Sequence, residues 1–393
     1  MSKMDKYKMS MWFYNKQGVV SNEDYITHTK KLAINLGMTP PFDEKTSSKE
    51  EMIKFLDMCE ENGIKVFLSD KRVTYNRLYE TDEESYRKGV MQAKEDFGNH
   101  SAVYGFLVGD EPVKETWDSA VKAFKIVQEI VPGLTHLINF YPCYWNGFDK
   151  LIGCSHEEYP QRVDSFIKET GAEIVAYDYY GQCGYVDKIK WIDIYFRNLN
   201  MFGKIARENN KEFFTSLLSI GHWMYRCPNE DDFRWQISTA VAHGVVGIMW
   251  FFIFQTGMGH ENYRVGPIDV FGERSETFEW LSRENRIFMQ FIAEELKHYT
   301  FRKVEHYLNC YGNTPSFTAS GVLKKIEFRE NPKPLAISYF ENEKGEECIG
   351  VTNLSQDEPT SVQLTFEGEL ERFNDNHRLA PGQLRIFMKN KTV

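Results

Sequence analysis

The chain has no Cys-x-x-Cys pair. Its seven cysteines, Cys59, Cys143, Cys154, Cys183, Cys227, Cys310 and Cys348, are odd in number and dispersed. That pattern argues for reduced thiols and against a disulfide frame or a structural zinc site. A basic block is missing too: the formal charge is −10, with acids and bases interleaved along the chain, so nucleic-acid binding is not expected. No segment approaches the ~18 uncharged apolar residues of a membrane span. The opening Met-Ser-Lys-Met-Asp-Lys-Tyr-Lys lacks the apolar core of a signal peptide. These absences predict a soluble cytoplasmic protein without a membrane partner, although a secreted protein stripped of its signal peptide would read the same way. There is no internal repeat, no low-complexity segment and no glycine-rich phosphate turn after the first predicted strand. The last absence counts against a dinucleotide-binding sheet, and no cofactor is expected.

What the chain does have is rings. Phe, Tyr and Trp make up 15% of its 393 residues, more than a core alone requires, and a surplus near strand ends suits a site that stacks on sugar rings. The apolar periodicity switches repeatedly between strand and helix. Short apolar runs at 8–14, 32–37, 64–69, 102–108, 134–140, 173–176, 213–218 and 245–252 read as strands. Residues 49–62 carry helical spacing (Met52, Phe55, Leu56, Cys59) and stop at Gly63, a helix C-cap signal. Helical stretches are also predicted over 22–30, 83–97, 117–131, 159–170, 188–209, 230–242 and 277–298. Eight strand–helix alternations in about 300 residues predict a (β/α)8 TIM barrel over 1–300. After residue 300 the period changes. Leu335–Phe340, Glu347–Thr352, Ser361–Phe366 and Gln383–Met388 read as strands separated by turn-rich pieces such as Glu341-Asn-Glu-Lys-Gly345, which predicts a small antiparallel β-sandwich over 301–393.

In a barrel, function gathers where strands end, on the C-terminal rim. The run Ala102-Val-Tyr-Gly-Phe-Leu-Val-Gly-Asp-Glu-Pro112 ends an apolar strand abruptly in two acids, and Pro112 cannot continue the ladder. Collecting the predicted tips gives Tyr14, Asp70, Asp110, Glu111, Asn139, Tyr141, Tyr177, Asp178, Tyr179, Tyr180, His222, Trp223, Trp250, Phe252 and Gln255. Acids, phenols, indoles and amides of this kind suit a neutral polyhydroxylated ligand, so the expected partner is a carbohydrate. Glycoside hydrolysis needs two carboxyl groups. Glu111 is the expected proton donor, since an aromatic-walled pocket raises a carboxyl pKa. Asp178 is the first choice for the second group, ahead of Asp110 and of Glu261 in the loop after strand eight. A metal site from His222, Asp110 and Asp178 has no ligand-spacing signature, and no metal is expected.

The segments Gly105–Pro112, Ala176-Tyr-Asp-Tyr-Tyr180, Asp232–Ile237 with Ala242–Phe252, and Pro267–Asn285 together resemble a barrel glycoside hydrolase of the β-galactosidase-like (clan A) superfamily, of the gut-bacterial type. The C-terminal Leu379–Phe387 resembles the end of the sandwich domain in such enzymes. The resemblance implies that Glu111 is the acid/base of a glycosidase. The chain departs from the pattern at two points. Asp110 stands where the superfamily usually has Asn, and Phe213–Trp223 contains no Glu where the superfamily carries its nucleophile on strand seven. The strand-four Glu and strand-six Tyr-Asp are also similar to those of family 18 chitinases, without the chitinase acid repeat. The alternative to a glycosidase is therefore a carbohydrate-binding or catalytically degenerate barrel.

Overall fold

The computed structural model describes residues 5–185, 187–257 and 261–393. Eight parallel strands close into a barrel in sequence order: β1 (Lys8–Met11), β2 (Leu36–Met38), β3 (Lys65–Leu68), β4 (Val103–Asp110), β5 (Leu137–Phe140), β6 (Ile174–Asp178), β7 (Glu212–Leu218) and β8 (Gly247–Phe251). Closure runs through β1 against β8, with Ser10 opposite Met249 and Met11 opposite Trp250. The expected barrel is therefore present. Most of its strands are shorter than the apolar runs that announced them, while β4, β6 and β7 run slightly longer; the first ends at Met11 rather than Tyr14, because the chain leaves the ladder at Trp12 to enter the rim.

The outer helices follow their apolar spacing. Helix Trp117–Ile130 buries Trp117, Ala120, Phe124 and Val127, one face at three- and four-residue intervals. Helix Lys49–Glu61 starts where the Ser48 side chain accepts the Glu51 N–H, satisfying a donor that the first turn leaves open. Helix Glu230–Ala242 differs. Nearly all of its side chains from Asp232 to Ala242 are buried, because the barrel lies on one side and the C-terminal sheets on the other. Trp235 donates its indole N–H to the Leu354 carbonyl at 2.8 Å across that junction.

From Tyr299 onward the chain is antiparallel. A five-stranded sheet contains β9 (Tyr299–Tyr307), β11 (Leu335–Asn342), β12 (Glu347–Asn353), β15 (Leu384–Met388) and β16 (Lys391–Thr392). A three-stranded sheet contains β10 (Leu323–Glu330), β13 (Thr360–Phe366) and β14 (Asn376–Leu379). Ile337, Val351 and Phe387 from the first sheet meet Val362, Leu364 and Phe366 from the second in one apolar core, which is the expected sandwich. Strands β9, β10 and β14 are not among the expected strands, since charged residues interrupt their alternation: Tyr299–Tyr307 reads Tyr-Thr-Phe-Arg-Lys-Val-Glu-His-Tyr; nor is β16, which is two residues long.

Candidate active site

Strand period two decides which tip residues face the barrel mouth. On β6, Tyr177 turns outward and stacks on Phe202 with ring centroids 4.3 Å apart, which leaves its neighbour Asp178 to line the mouth. On β8, Trp250 turns outward, fully buried against Phe233 and Asn285, and Phe251 faces in. Glu111 lies one residue beyond β4, yet its N–H still donates to the Asn139 carbonyl at 2.8 Å. Its φ is +48°, a left-handed conformation that costs a non-glycine residue about 1–2 kcal/mol and is typically stored at functional sites. Gly109 makes room for this turn. A Cβ there would sit 2.1 Å from the Tyr75 ring, and Tyr75 fixes the turn by donating its hydroxyl to the Asp110 carbonyl.

The result is a cavity of about 490 Å3 at the C-terminal mouth. Of the residues expected from the sequence it brings together Tyr14, Asp110, Glu111, Asn139, Tyr141, Asp178, Tyr179, Tyr180, His222, Trp223 and Glu261. It also takes in Trp12, directly after β1, and Trp145, Tyr225 and Tyr263, which stand in loops beyond the strand tips. Tyr225 and Tyr263 reach the wall because the loops after β7 and β8 pair there: Gly221 and Arg264 exchange backbone hydrogen bonds at 3.0 and 2.7 Å. Five expected residues lie elsewhere. Phe252 is buried behind the cavity wall, its ring edge-on to Tyr14 and Tyr263. Tyr177 and Trp250 belong to the layer between barrel and helices. Gln255 lines a neighbouring cavity. Asp70 is fully buried beneath the rim, where Arg72 binds it through Nε and Nη2 at 3.1 and 2.7 Å.

Three acids meet on one wall. Asn139, on β5 between β4 and β6, donates from its amide nitrogen to Asp110 Oδ1 and to Asp178 Oδ1, 2.9 Å each. Glu111 and Asp178 share a hydrogen bond carboxyl to carboxyl. Tyr141 donates to Glu111 and Tyr180 to Asp178. Asp110 is open to the water of the cavity, and Glu111 and Asp178 are half-buried; all three nevertheless sit deep among low-dielectric ring walls. That setting raises the pKa of Glu111, first by burial and then by the charges of Asp178 and Asp110. It raises Asp110 by burial and by Asp178, and Asp178 by burial. A hydrogen bond between two carboxyl groups requires one of them to hold a proton, and Glu111, pushed up by both neighbours, is the holder.

The opposite wall is aromatic. His222 is buried among Tyr180, Tyr225, Phe251 and Tyr263, and burial pushes its pKa down to about 4, so the ring is neutral at pH 7. Glu261 lies on this side, where its carbonyl accepts the Trp223 N–H at 3.0 Å. Among the described residues, the one His/Cys/Asp/Glu group compact enough for a metal is Asp57, Glu60 and His100, on the outer surface and away from this cavity.

No family model matches the chain, and its sequence matches no curated protein. Its structure does find relatives. A catalytic mutant of a GH42 β-galactosidase from G. stearothermophilus superposes with a TM-score of 0.67 at 8% identity, covering 98% of each chain. The likeness is one of fold. A β-galactosidase from the psychrophilic Marinomonas ef1 aligns with a TM-score of 0.56 and 13% identity over 74% of this chain, which spans 62% of that enzyme's length. A putative α-L-fucosidase from Bacteroides thetaiotaomicron VPI-5482 aligns with a TM-score of 0.51 and 11% identity, covering 74% of this chain and 99% of the other. The barrel and the sheets that follow it are thus an architecture shared with solved glycoside hydrolases.

Proposed function

We propose that the protein is a glycoside hydrolase acting on O-glycosidic bonds, with Glu111 as the general acid. The observation that carries this reading is the placement of Glu111 at the barrel mouth, beside Asp178 and Asp110 inside an aromatic cavity, where burial and the two neighbouring acids raise its pKa. An acid that keeps its proton near neutral pH is what departure of a glycosidic oxygen needs. The ring walls fit the apolar faces of a sugar, and the Asn139, Tyr141 and Tyr180 groups fit its hydroxyls.

The contact between Glu111 and Asp178 changes the role proposed for Asp178. Carboxyl groups that flank a glycosidic bond stand about 5–5.5 Å apart in retaining enzymes and ~6.5–9.5 Å in inverting ones. A hydrogen-bonded pair is closer than either, so no sugar carbon fits between the two. Asp178 instead holds and tunes the proton of Glu111. The acid left for the far side of the bond is Glu261, which the loop after β8 lays beside Trp223, next to the β7 end that carries no Glu of its own. Its proposed role is nucleophile or base for water.

The alternative is a carbohydrate-binding barrel without turnover. It is favoured by β7, where the sole Glu, Glu212, stands at the start of the strand and pairs with Lys8 at the closed end. A screen of 4-nitrophenyl glycosides and oligosaccharides with wild type and Glu111→Gln separates the readings. Hydrolysis that Glu111→Gln abolishes supports the enzyme; binding without hydrolysis in both proteins supports the alternative.

A further inference from the structure

We propose that the cavity next to the acid cluster is a second sugar subsite, so that the substrate is an oligosaccharide whose chain runs from Glu111 toward Phe271. The proposal rests on the glycosidase reading of the first cavity. This second cavity has a volume of about 560 Å3 and shares Tyr14 and Thr256 as lining residues with the first. The two are compartments of one cleft, built from the chain that follows β1 and the chain that follows β8.

Its chemistry is that of a sugar site. The turn Asp269–Gly272 is held by its own first side chain: Asp269 Oδ1 accepts the N–H groups of Phe271 and Glu273 at 2.9 Å each, and the Gly272 N–H returns to the Asp269 carbonyl at 3.1 Å. This ordered turn holds the Phe271 ring 86% exposed on the cavity rim, with Val270 beside it. A fixed, solvated phenyl face has no structural task there, and it suits stacking on a pyranose ring.

Polar groups line the floor. Asn15 is only 6% exposed and its Oδ1 has no hydrogen-bond partner in the protein, a buried acceptor that is costly to leave unmet. His28 receives the Arg274 Nε–H on Nδ1 at 3.1 Å, which leaves its hydrogen on Nε2 as a donor; burial and Arg274 keep the ring neutral. Gln255 adds an amide, and the charges present, Lys16 and Asp24, are of opposite sign. An aromatic face over amides, an imidazole and balanced charge fits a neutral polyhydroxylated chain better than an anion.

The test compares wild type, Phe271→Ala and Phe271→Trp on two substrate classes. One is the 4-nitrophenyl monoglycoside that the wild type cleaves fastest; the other is the oligosaccharides of two to five units bearing the same terminal sugar. Phe271 is exposed, so neither change threatens the fold. The expected result is kcat/KM rising with chain length in the wild type, a loss of about three- to tenfold on the longer oligosaccharides in Phe271→Ala, recovery in Phe271→Trp, and unchanged kinetics on the monoglycoside. No chain-length effect, or one that Phe271→Ala leaves intact, overturns the subsite. If no glycoside is cleaved, the hydrolase reading fails separately, and calorimetry of the same oligosaccharides with the wild type decides: a pentasaccharide that binds no tighter than a disaccharide, or a preference that Phe271→Ala does not reduce, overturns it as well.

Discussion

Glu111 and Asp178, delivered by β4 and β6 with one strand between them, share a hydrogen bond between their carboxyl groups, while Asn139 on the strand between ties Asp178 to Asp110. Two neighbouring carboxyls can share a bond only with a proton between them. The site is therefore built to hold a proton that isolated acids would have lost well below neutral pH.

That arrangement has a stability cost with a definite sign. Folded-state pKa values above the unfolded ~4 mean that the folded protein binds more protons than the unfolded chain. The stabilising contribution is complete below pH ~4 and is lost as pH rises through the raised folded values. Glu111→Gln and Asp178→Asn should each raise the melting temperature at pH 8 and leave it nearly unchanged at pH 4. Differential scanning fluorimetry across that range checks this; a gain of equal size at both pH values contradicts it.

Beyond the effect of burial, Asp178 raises the pKa of Glu111 by its charge and by accepting a hydrogen bond from the protonated Glu111 carboxyl. Asp178→Asn removes the charge, so the alkaline limb of the pH profile of kcat/KM should move to lower pH, with a smaller loss of turnover than Glu111→Gln gives. An alkaline limb that stays in place would take Asp178 out of the tuning role.

Glu261 is assigned to the far side of the bond. Glu261→Ala should lose roughly 10²–10⁴-fold in kcat, with the loss persisting on substrates with good leaving groups. In a retaining enzyme, azide should restore turnover and appear in a glycosyl azide product. Near-normal kinetics in Glu261→Ala would return the second-carboxylate role to Asp110 or Asp178.

Asp70 was expected at the site and lies beneath it, with Arg72 bound to Asp70 and to Asp96 and stacked on Phe42 at 4.9 Å. Removing one partner of a buried pair costs about 3–5 kcal/mol. Arg72→Met should thus lower stability by that order in a denaturant titration while kcat of the folded fraction stays close to wild type. A large fall in kcat without destabilisation would move Asp70 into the chemistry.

How much of this was legible in the sequence follows from what each signal encodes. The barrel was, because apolar runs alternate with helical faces such as Trp117, Ala120, Phe124 and Val127. Glu111 was, because a strand that ends Gly-Asp-Glu-Pro leaves two acids at a rim. A collection of strand ends ignores strand parity. Parity separates Asp178 from Tyr177 and Phe251 from Trp250, since one residue of each adjacent pair must face the helices. Trp145, Tyr225 and Tyr263 were not legible at all: loop pairing of Gly221 with Arg264 brings two of them to the cavity, and no local pattern encodes it. Strands β9, β10 and β14 went unseen because their solvent-facing charges break the apolar alternation.

The central claim is that Glu111 delivers the proton to the departing oxygen. It is tested most directly by steady-state kinetics of wild type and Glu111→Gln on a series of aryl glycosides with graded leaving-group acidity. Glutamine keeps the shape of the side chain but cannot supply a proton at neutral pH, so kcat should fall by roughly 10²–10⁴-fold on unactivated glycosides. The deficit should shrink steadily as the leaving group becomes more acidic, with sugar binding retained. A Glu111→Gln protein that cleaves an unactivated glycoside at near-normal kcat, or one whose deficit is the same across the series, contradicts the assignment.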